Sequence, residues 1–459
     1  MSRKRLTVVV AALAMLPLAA CGGGEATADD ARSITVWTTD TEPARVADTE
    51  RIVRDFTNQT GIKVKLVGIA EDQLVQTVTS AAAAGELPDV MGGLSLASVR
   101  TLSSNDLLDT ETTTNLVDSL GADTFSQEAL ALTREGDTQL AVPSHIWSQM
   151  LIYRKDLFAK AGLAPPETYE DVLEAAKTLD GGGMAGFVGP TAPSDAFTQQ
   201  TVEQIALANG CQLVDESGEL TLDSSECVGA FDFYNQLINY SVPGAQDVDT
   251  TEAAYLSGKA AMIPWSTYIL DEMAGLDSDV PTTCPECRSD PAYLAKNSGF
   301  VTTLQGPDGE PAQFGEVVSW GIPTGAASES AQKFVEYMMS DGYVDWTAMA
   351  PEGKFPARRG TSADPAKFVD AWQTLPMGVD RKAPLSRFYS DEVLDQIRTG
   401  PEHFERWGIE QGQGDLVGAL LGELPVPKAV ASMTSGDTTP REAAEEATER
   451  VQSIQDSLS

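Results

Sequence analysis

The apolar positions of this chain switch between two periods, and the switches mark its elements. Ser33 to Thr39 alternates and is β-branched, which predicts a strand. Over 42–57, Val46, Ile52, Val53 and Phe56 fall on one side of a helix. Residues 61–67 predict a second strand, 71–84 a second helix and 85–91 a third strand, with Gly92-Gly93-Leu94-Ser95 as a tight turn beyond it. This alternation implies parallel strands, right-handed crossovers and ligand sites beyond the strands' carboxyl ends. Those ends carry Trp37, Thr39 and Asp40 on one strand and Ser95 on another.

Further on, Ala141-Val142-Pro143 reads as a buried strand stopped by proline. A new strand over 149–153 then leads into a helix opened by Lys155-Asp156-Leu157-Phe158 and closed by Pro165-Pro166. Helices are predicted over 169–179 with Thr168 as cap, over 197–209 and over 225–240. A short strand is expected at 187–190 and a hairpin at 212–222 around Ser217-Gly218. A helix ending near Gly258-Lys259 leads to a strand that finishes on Trp265-Ser266. Residues 277–316 are polar, with a turn at Gly306–Gly309, and 442–458 forms an amphipathic terminal helix.

The first residues stand apart. Arg3-Lys4-Arg5 followed by apolar Leu6 to Leu18 has the form of an export signal over 1–20, too short for a comfortable membrane span. Small residues before Cys21 look like a bacterial lipobox, which would make Cys21 the lipid-bearing residue; the bland alternative is an ordinary signal with a chance cysteine. Residues 21–32 are small and polar, as in a flexible tether. No later stretch is apolar for long enough to suggest a second membrane segment.

An apolar content of 42 % suffices for a large core, and the length suggests two or three domains. The net charge of −37 argues against nucleic acid, whose phosphates the chain would repel, and is silent on a neutral ligand. Cys211, Cys227, Cys284 and Cys287 make an even set in an exported chain, so disulfides are expected. Three pairings are open, and locality favours Cys211–Cys227 with Cys284–Cys287. A redox or metal role for Cys284-Pro-Glu-Cys287 lacks a thioredoxin-like context, and His145 and His403 are far away in sequence. No metal and no cofactor is expected.

Five stretches, in order, resemble the extracellular solute-binding proteins of sugar ABC importers (family 1, maltose-binding-protein-like lipoproteins). They are the Trp37-Thr38 strand end, Ala84-Gly-Glu-Leu-Pro-Asp-Val90, Tyr153-Arg-Lys-Asp-Leu-Phe158, Ala253 to Trp265 around Gly258-Lys259, and Gly353-Lys-Phe-Pro-Ala-Arg358. The sequence departs from that pattern at Gly92-Gly-Leu-Ser95, where maltose-type members carry charged residues. The resemblance implies an α/β, two-lobed fold of periplasmic-binding-protein type, with a ligand cleft and three hinge crossings near 143–147, 318–322 and 358–362. The first lobe would span 33–144 plus 322–358 and the second 147–318 plus 362–459. It also implies a lipid-anchored monomer on the extracellular face of the bacterial membrane that captures a sugar or oligosaccharide and delivers it to an ABC permease.

Sugars present hydroxyls and flat C–H faces, so a site needs aromatic rings and planar polar groups. Expected ligand-binding residues are Trp37, Thr39, Asp40, Ser95, His145, Trp147, Trp265, Ser266, Trp320 and Arg358; for Trp265 the family places a sugar-stacking ring. Against each stands a bland role: core packing for the tryptophans, helix capping for Asp40, hinge support for His145, a surface ion pair for Arg358. Trp346, Trp372 and Trp407 lie in helical stretches and read as packing. Catalysis is not expected. The alternatives are a secreted glycoside hydrolase, which needs a carboxylate pair in a cleft, and a solute-binding protein for a peptide. Neither Gly-x-Ser-x-Gly nor His-Glu-x-x-His occurs.

Overall fold

A computed structural model describes residues 33–458, without the side chain of Asp72. The expected signal, Cys21 and the tether lie outside the described residues. The fold is α/β and two-lobed. In the first sheet the strand order is Lys63–Gly68, Ser33–Thr38, Val90–Leu94, Gly315–Gly321, Val142–Arg154 and Phe355–Pro356. The first three are parallel, as the strand–helix alternation demands, and the later pairings are antiparallel.

Val142–Arg154 is one strand of 13 residues in which every residue but Trp147 is buried. Val142 to Ser148 pairs with Gly315–Gly321 of the first sheet. From Gln149 to Arg154 it pairs instead with Met262–Ser266 and Ser298–Val301, forming the sheet of the second lobe. The predicted proline stop is therefore corrected. Pro143 sits at an irregularity between Pro143 and His145, where its missing N–H costs no ladder bond, and the strand runs on. The change of partner falls at Ser148/Gln149. The whole of Gly315–Gly321 belongs to the first sheet, so the return crossing precedes Gly315 rather than lying at 318–322. Near the third crossing, Phe355–Pro356 still pairs in the first sheet, and Trp372 packs in the core of the second lobe.

Two further expectations are corrected. Residues 187–190 form no strand; the segment is tied by the Ala185–Ala260 bridge and by Val188 N–H donating to the Met262 carbonyl at 3.0 Å. Gly92 and Gly93 belong to the third strand rather than to a turn. A Cβ on Gly92 would stand 2.2 Å from the ring of Trp320. That contact also settles Trp320, which is 1 % exposed, with ring centroids 4.9 Å from Trp346 and 5.9 Å from Phe334. Its strand is central in the sheet, and helix Ser328–Met338 covers that face.

The Tyr153–Phe158 motif has a local structural explanation. Arg154, 2 % exposed, forks Asp156 through Nε and Nη2 at 2.8 Å each, and Tyr293 Oη donates to the same carboxylate at 3.0 Å. This locks the strand end to the first turn of helix Lys155–Ala161. The two disulfides are Cys211–Cys227 and Cys284–Cys287, the pairing that locality favours. Among the described residues no single helix is long and apolar enough to cross a membrane.

Gly92→Ala is expected to lower stability by about 1–3 kcal/mol, because the added methyl overpacks Trp320. Urea denaturation measures this; an unchanged midpoint would mean that the ring is not held against the strand.

Candidate ligand-binding cleft

A cavity of about 440 Å³ opens where the long strand changes partners. Alternation along that strand puts His145, Trp147 and Gln149 on one face, and all three line the cavity. The neighbouring strand places Glu316 opposite Trp147 and Val318 opposite His145, completing the floor. Thr39, Asp40, Arg45, Glu71, Gly93 and Ser95 form the wall of the first lobe. Phe197, Gln200, Val248, Trp265, Ser266 and Tyr268 form that of the second.

The ionic centre of this cavity is Asp40. Lys354 Nζ stands 3.0 Å from Asp40 Oδ2, with side chains 1 % and 9 % exposed, and Arg45 Nη1 lies 3.7 Å from Oδ1. Both cations also rest on rings: Lys354 Nζ is 4.2 Å from the Trp346 centroid, and the Arg45 guanidinium is 5.2 Å from that of Tyr268. Arg45 belongs to helix Pro43–Thr60 of the first lobe, and Tyr268 follows the Trp265 strand of the second, so this contact spans the cleft. Burial lowers the Lys354 pKa, opposed by Asp40. Burial, with Lys354 and Arg45 nearby, pushes His145 well below its ordinary value, so its imidazole is neutral. Trp346 Nε1 donates to Ser144 Oγ at 2.9 Å, and that hydroxyl lies 3.2 Å from His145 Nδ1. A proton given by Ser144 to Nδ1 leaves Nε2–H as a donor.

Of the sequence-predicted residues, Thr39, Asp40, Ser95, His145, Trp147, Trp265 and Ser266 are brought together around the cavity. Three are not. Trp37 alternates to the other face of its strand and packs beside Leu74 and Val78. Trp320 is core, as described above. Arg358, 5 % exposed, donates from Nη1 to the Met339 carbonyl at 2.6 Å and from Nη2 to that of Leu120 at 2.5 Å, and so closes the carboxyl ends of two helices. Trp265 has a double position: it lines the cavity while only 6 % exposed, edge-on to Phe197 at 4.9 Å.

Sequence reasoning missed Lys354, Arg45, Glu71, Gln149, Glu316 and Tyr268. Two signals were present: Lys354 lies inside the Gly353–Arg358 motif, and Gln149 follows Trp147 by the strand period of two. The Gly353 backbone lies against the Tyr268 ring, where a Cβ would come to 2.1 Å.

Behind Tyr268 lies a shelf of three carboxyls, of which Asp271 and Glu352 are buried and Glu272 is half-buried. Asp271 and Glu272 sit on helix Leu270–Met273, and Glu352 precedes Gly353. Burial, reinforced by Asp277, raises Asp271 to about 6. Burial with Asp271 raises Glu352 well above the ordinary value, and burial with Glu252 does the same for Glu272.

Comparison with known proteins gives three results. Residues 39–345 match the model of the family described as "Bacterial extracellular solute-binding protein". The protein named "Putative ABC transporter periplasmic-binding protein YcjN" of Escherichia coli (strain K12) is 28 % identical over 402 residues, 86 % of this chain and 88 % of the relative. Among solved structures, maltose-bound MalE3 of T. maritima superposes with a TM-score of 0.70 at 19 % identity, covering 92 % of this chain and 99 % of the other. The GacH receptor of Streptomyces glaucescens, solved unliganded and with acarbose, gives 0.69 at 21 % identity, covering 92 % and 98 %.

The carboxyl shelf sets a pH dependence. Folded-state values above the unfolded ones mean that folding takes up protons. The resulting stabilisation is full below about pH 4 and is lost as pH rises through the folded values, about 6 for Asp271. The melting temperature is therefore expected to fall from about pH 5 to about pH 7, and Asp271→Asn to flatten that slope. A melting temperature that rises over this interval would contradict the assignment.

Proposed function

We propose a carbohydrate-import role for this chain, which belongs to the bacterial extracellular solute-binding proteins. It is the substrate-binding component of an ABC importer, anchored by a lipid on Cys21 to the outer face of the cell membrane. It captures a sugar or oligosaccharide as a monomer and hands it to the permease. The observation that carries this reading is the cavity between the lobes, where two tryptophan rings stand beside planar and hydroxylic groups: Asp40, His145, Gln200, Ser95 and Ser266. The maltose and acarbose found in the two structural neighbours agree with it. Thr39, Asp40, Ser95, His145, Trp147, Trp265 and Ser266 are the proposed ligand contacts, and the lobes close on the ligand by selection of the closed state. The hydrolase alternative lacks support at Asp40 and Glu316, cavity carboxylates that are already engaged by Lys354 and Arg406.

A thermal-shift screen with maltose, acarbose, monosaccharides, sugar alcohols and longer oligosaccharides tests the reading. A ligand at a hundredfold excess over Kd raises apparent stability by about 2.7 kcal/mol. No shift across the panel would defeat the carbohydrate reading, and new reducing ends from an oligosaccharide would replace it with hydrolysis. Cys21→Ala is expected to block lipid attachment and release the protein or leave it unprocessed, and membrane retention at mature size would count against the anchor.

The two tryptophans are expected to behave differently. Losing roughly 60–100 Å² of ring contact costs about 1.5–2.5 kcal/mol of binding, some tenfold to seventyfold in affinity. Trp147→Ala should show that loss by calorimetry with little change in melting temperature, since Trp147 is half-buried. Trp265→Ala should lower both affinity and melting temperature, because its ring is also part of the second lobe's core. Unchanged affinity in Trp147→Ala would place the ligand elsewhere.

A further inference from the structure

Beneath the cavity floor lies a buried ionic network that cleft binding as described so far does not use. Arg406, with its side chain 0 % exposed, donates from Nε to Glu203 Oε1 at 2.9 Å and from Nη1 to Glu316 Oε2 at 3.3 Å. Nη1 also reaches the Gly315 carbonyl at 3.4 Å, and the guanidinium stands 4.5 Å from the Phe314 ring centroid. Each carboxylate has a second duty. Glu203 Oε1 accepts the Trp407 N–H at 3.0 Å, and Glu316 Oε1 accepts the Leu96 N–H at 2.8 Å. Leu96 is the first residue of helix Leu96–Ser104, whose N-cap Ser95 lines the cavity.

The partners belong to different lobes. Glu203 is on helix Ala196–Ala208, packed in the second lobe's core, and Trp407 lies in that same core. Glu316 is on the central strand of the first sheet, at the point where the chain has just returned from the second lobe. Phe404 closes over the same spot, since a Cβ on Gly315 would meet its ring at 1.9 Å. A buried triad of one guanidinium and two carboxylates is a poor stabiliser compared with apolar residues of equal volume. What it supplies is direction: Nε and Nη1 lie in one plane and limit where the two carboxylates can stand relative to each other, while the buried Nη2 has no hydrogen-bond partner among the described residues.

We propose that Arg406 is a positioning residue for the ligand cleft: by fixing Glu316 against Glu203 it holds the amino end of helix Leu96–Ser104, with Ser95, in register with the second lobe. Arg406 does not touch the ligand. It acts through Glu316, which forms part of the floor, and through the Leu96 amide, which sets where the first-lobe wall stands. The affinity arm of the test rests on the carbohydrate reading; the exchange arm does not.

Arg406→Met leaves two carboxylates facing each other, so the companion variant Arg406→Met/Glu203→Gln/Glu316→Gln removes the orphaned charges while keeping the apolar bulk. In the triple variant, the amide protons of Leu96 and Trp407 are expected to exchange at least about tenfold faster than in the unmodified protein. Affinity for the panel sugar giving the largest thermal shift should fall at least about tenfold, with a melting temperature near that of the wild type. Arg406→Lys, which keeps the charge without the planar donor set, should fall between the wild type and the triple variant. Wild-type affinity in a folded triple variant would reduce the network to a structural one and overturn the proposal. The unmodified protein provides a test that no folding defect can remove. Both amides must be protected without sugar, and rapid exchange at either would show that the brace is not formed. If no panel sugar binds while the amides respond as expected, the carbohydrate reading fails and the brace stands.

Discussion

One strand sets the architecture. Val142–Arg154 is shared by both sheets, its first half hydrogen-bonded in one lobe and its second half in the other. A strand buried on both faces cannot slip in register without moving every side chain to the opposite face. The residues around its change of partner are therefore held to the sheets, not to a loop. His145, Trp147 and Gln149 face the cavity because three alternate positions of one strand must share a face. Glu316 and Val318 join them because the antiparallel register places them opposite. The floor is therefore built from paired strands of both sheets.

Much of this was legible in the sequence. The parallel β-α-β-α-β start follows from the alternation of two hydrophobic periods, and the cavity residues at strand ends follow from the rule for such sheets. The pairing of His145 with Trp147 needed only the period of two. What the pattern could not give is the layer that covers each face. Trp37 and Trp265 both stand near strand ends, yet one packs under a helix and the other reaches the cavity. Pro143 shows a second limit: a residue without an N–H ends a strand only where a ladder bond is required of it, and at an irregularity none is.

The Gly353–Arg358 motif makes the same point within six residues. Both Lys354 and Arg358 are cations in a turn that leaves a strand edge, and the sequence offers no reason to prefer either. Geometry divides them. Arg358 finds the free carbonyls at two helix ends, a demand created by helices distant in sequence. Lys354 points the other way, to Asp40, and its ammonium lies over the ring of Trp346. Roles of this kind are fixed by unsatisfied groups elsewhere in the fold, so they emerge only once the fold is known.

The acidity of the chain acquires meaning from where its cations go. With 68 acidic and 31 basic residues, cations are scarce, yet Arg100, Arg154, Lys354, Arg358 and Arg406 are all buried. Each meets a carboxylate or a backbone carbonyl inside the protein. Among the described residues five carboxylates, Asp40, Glu203, Asp271, Glu316 and Glu352, are buried with them, so the exterior keeps the negative balance of the composition, and a field of that sign repels anionic solutes. A neutral, hydroxyl-rich ligand is not repelled by it. Within the cleft the same balance holds on a smaller scale. Asp40 is held between two cations and His145 is kept neutral, so what the cavity offers a ligand is mainly ring faces and hydrogen-bonding groups, the chemistry on which the proposed carbohydrate role rests.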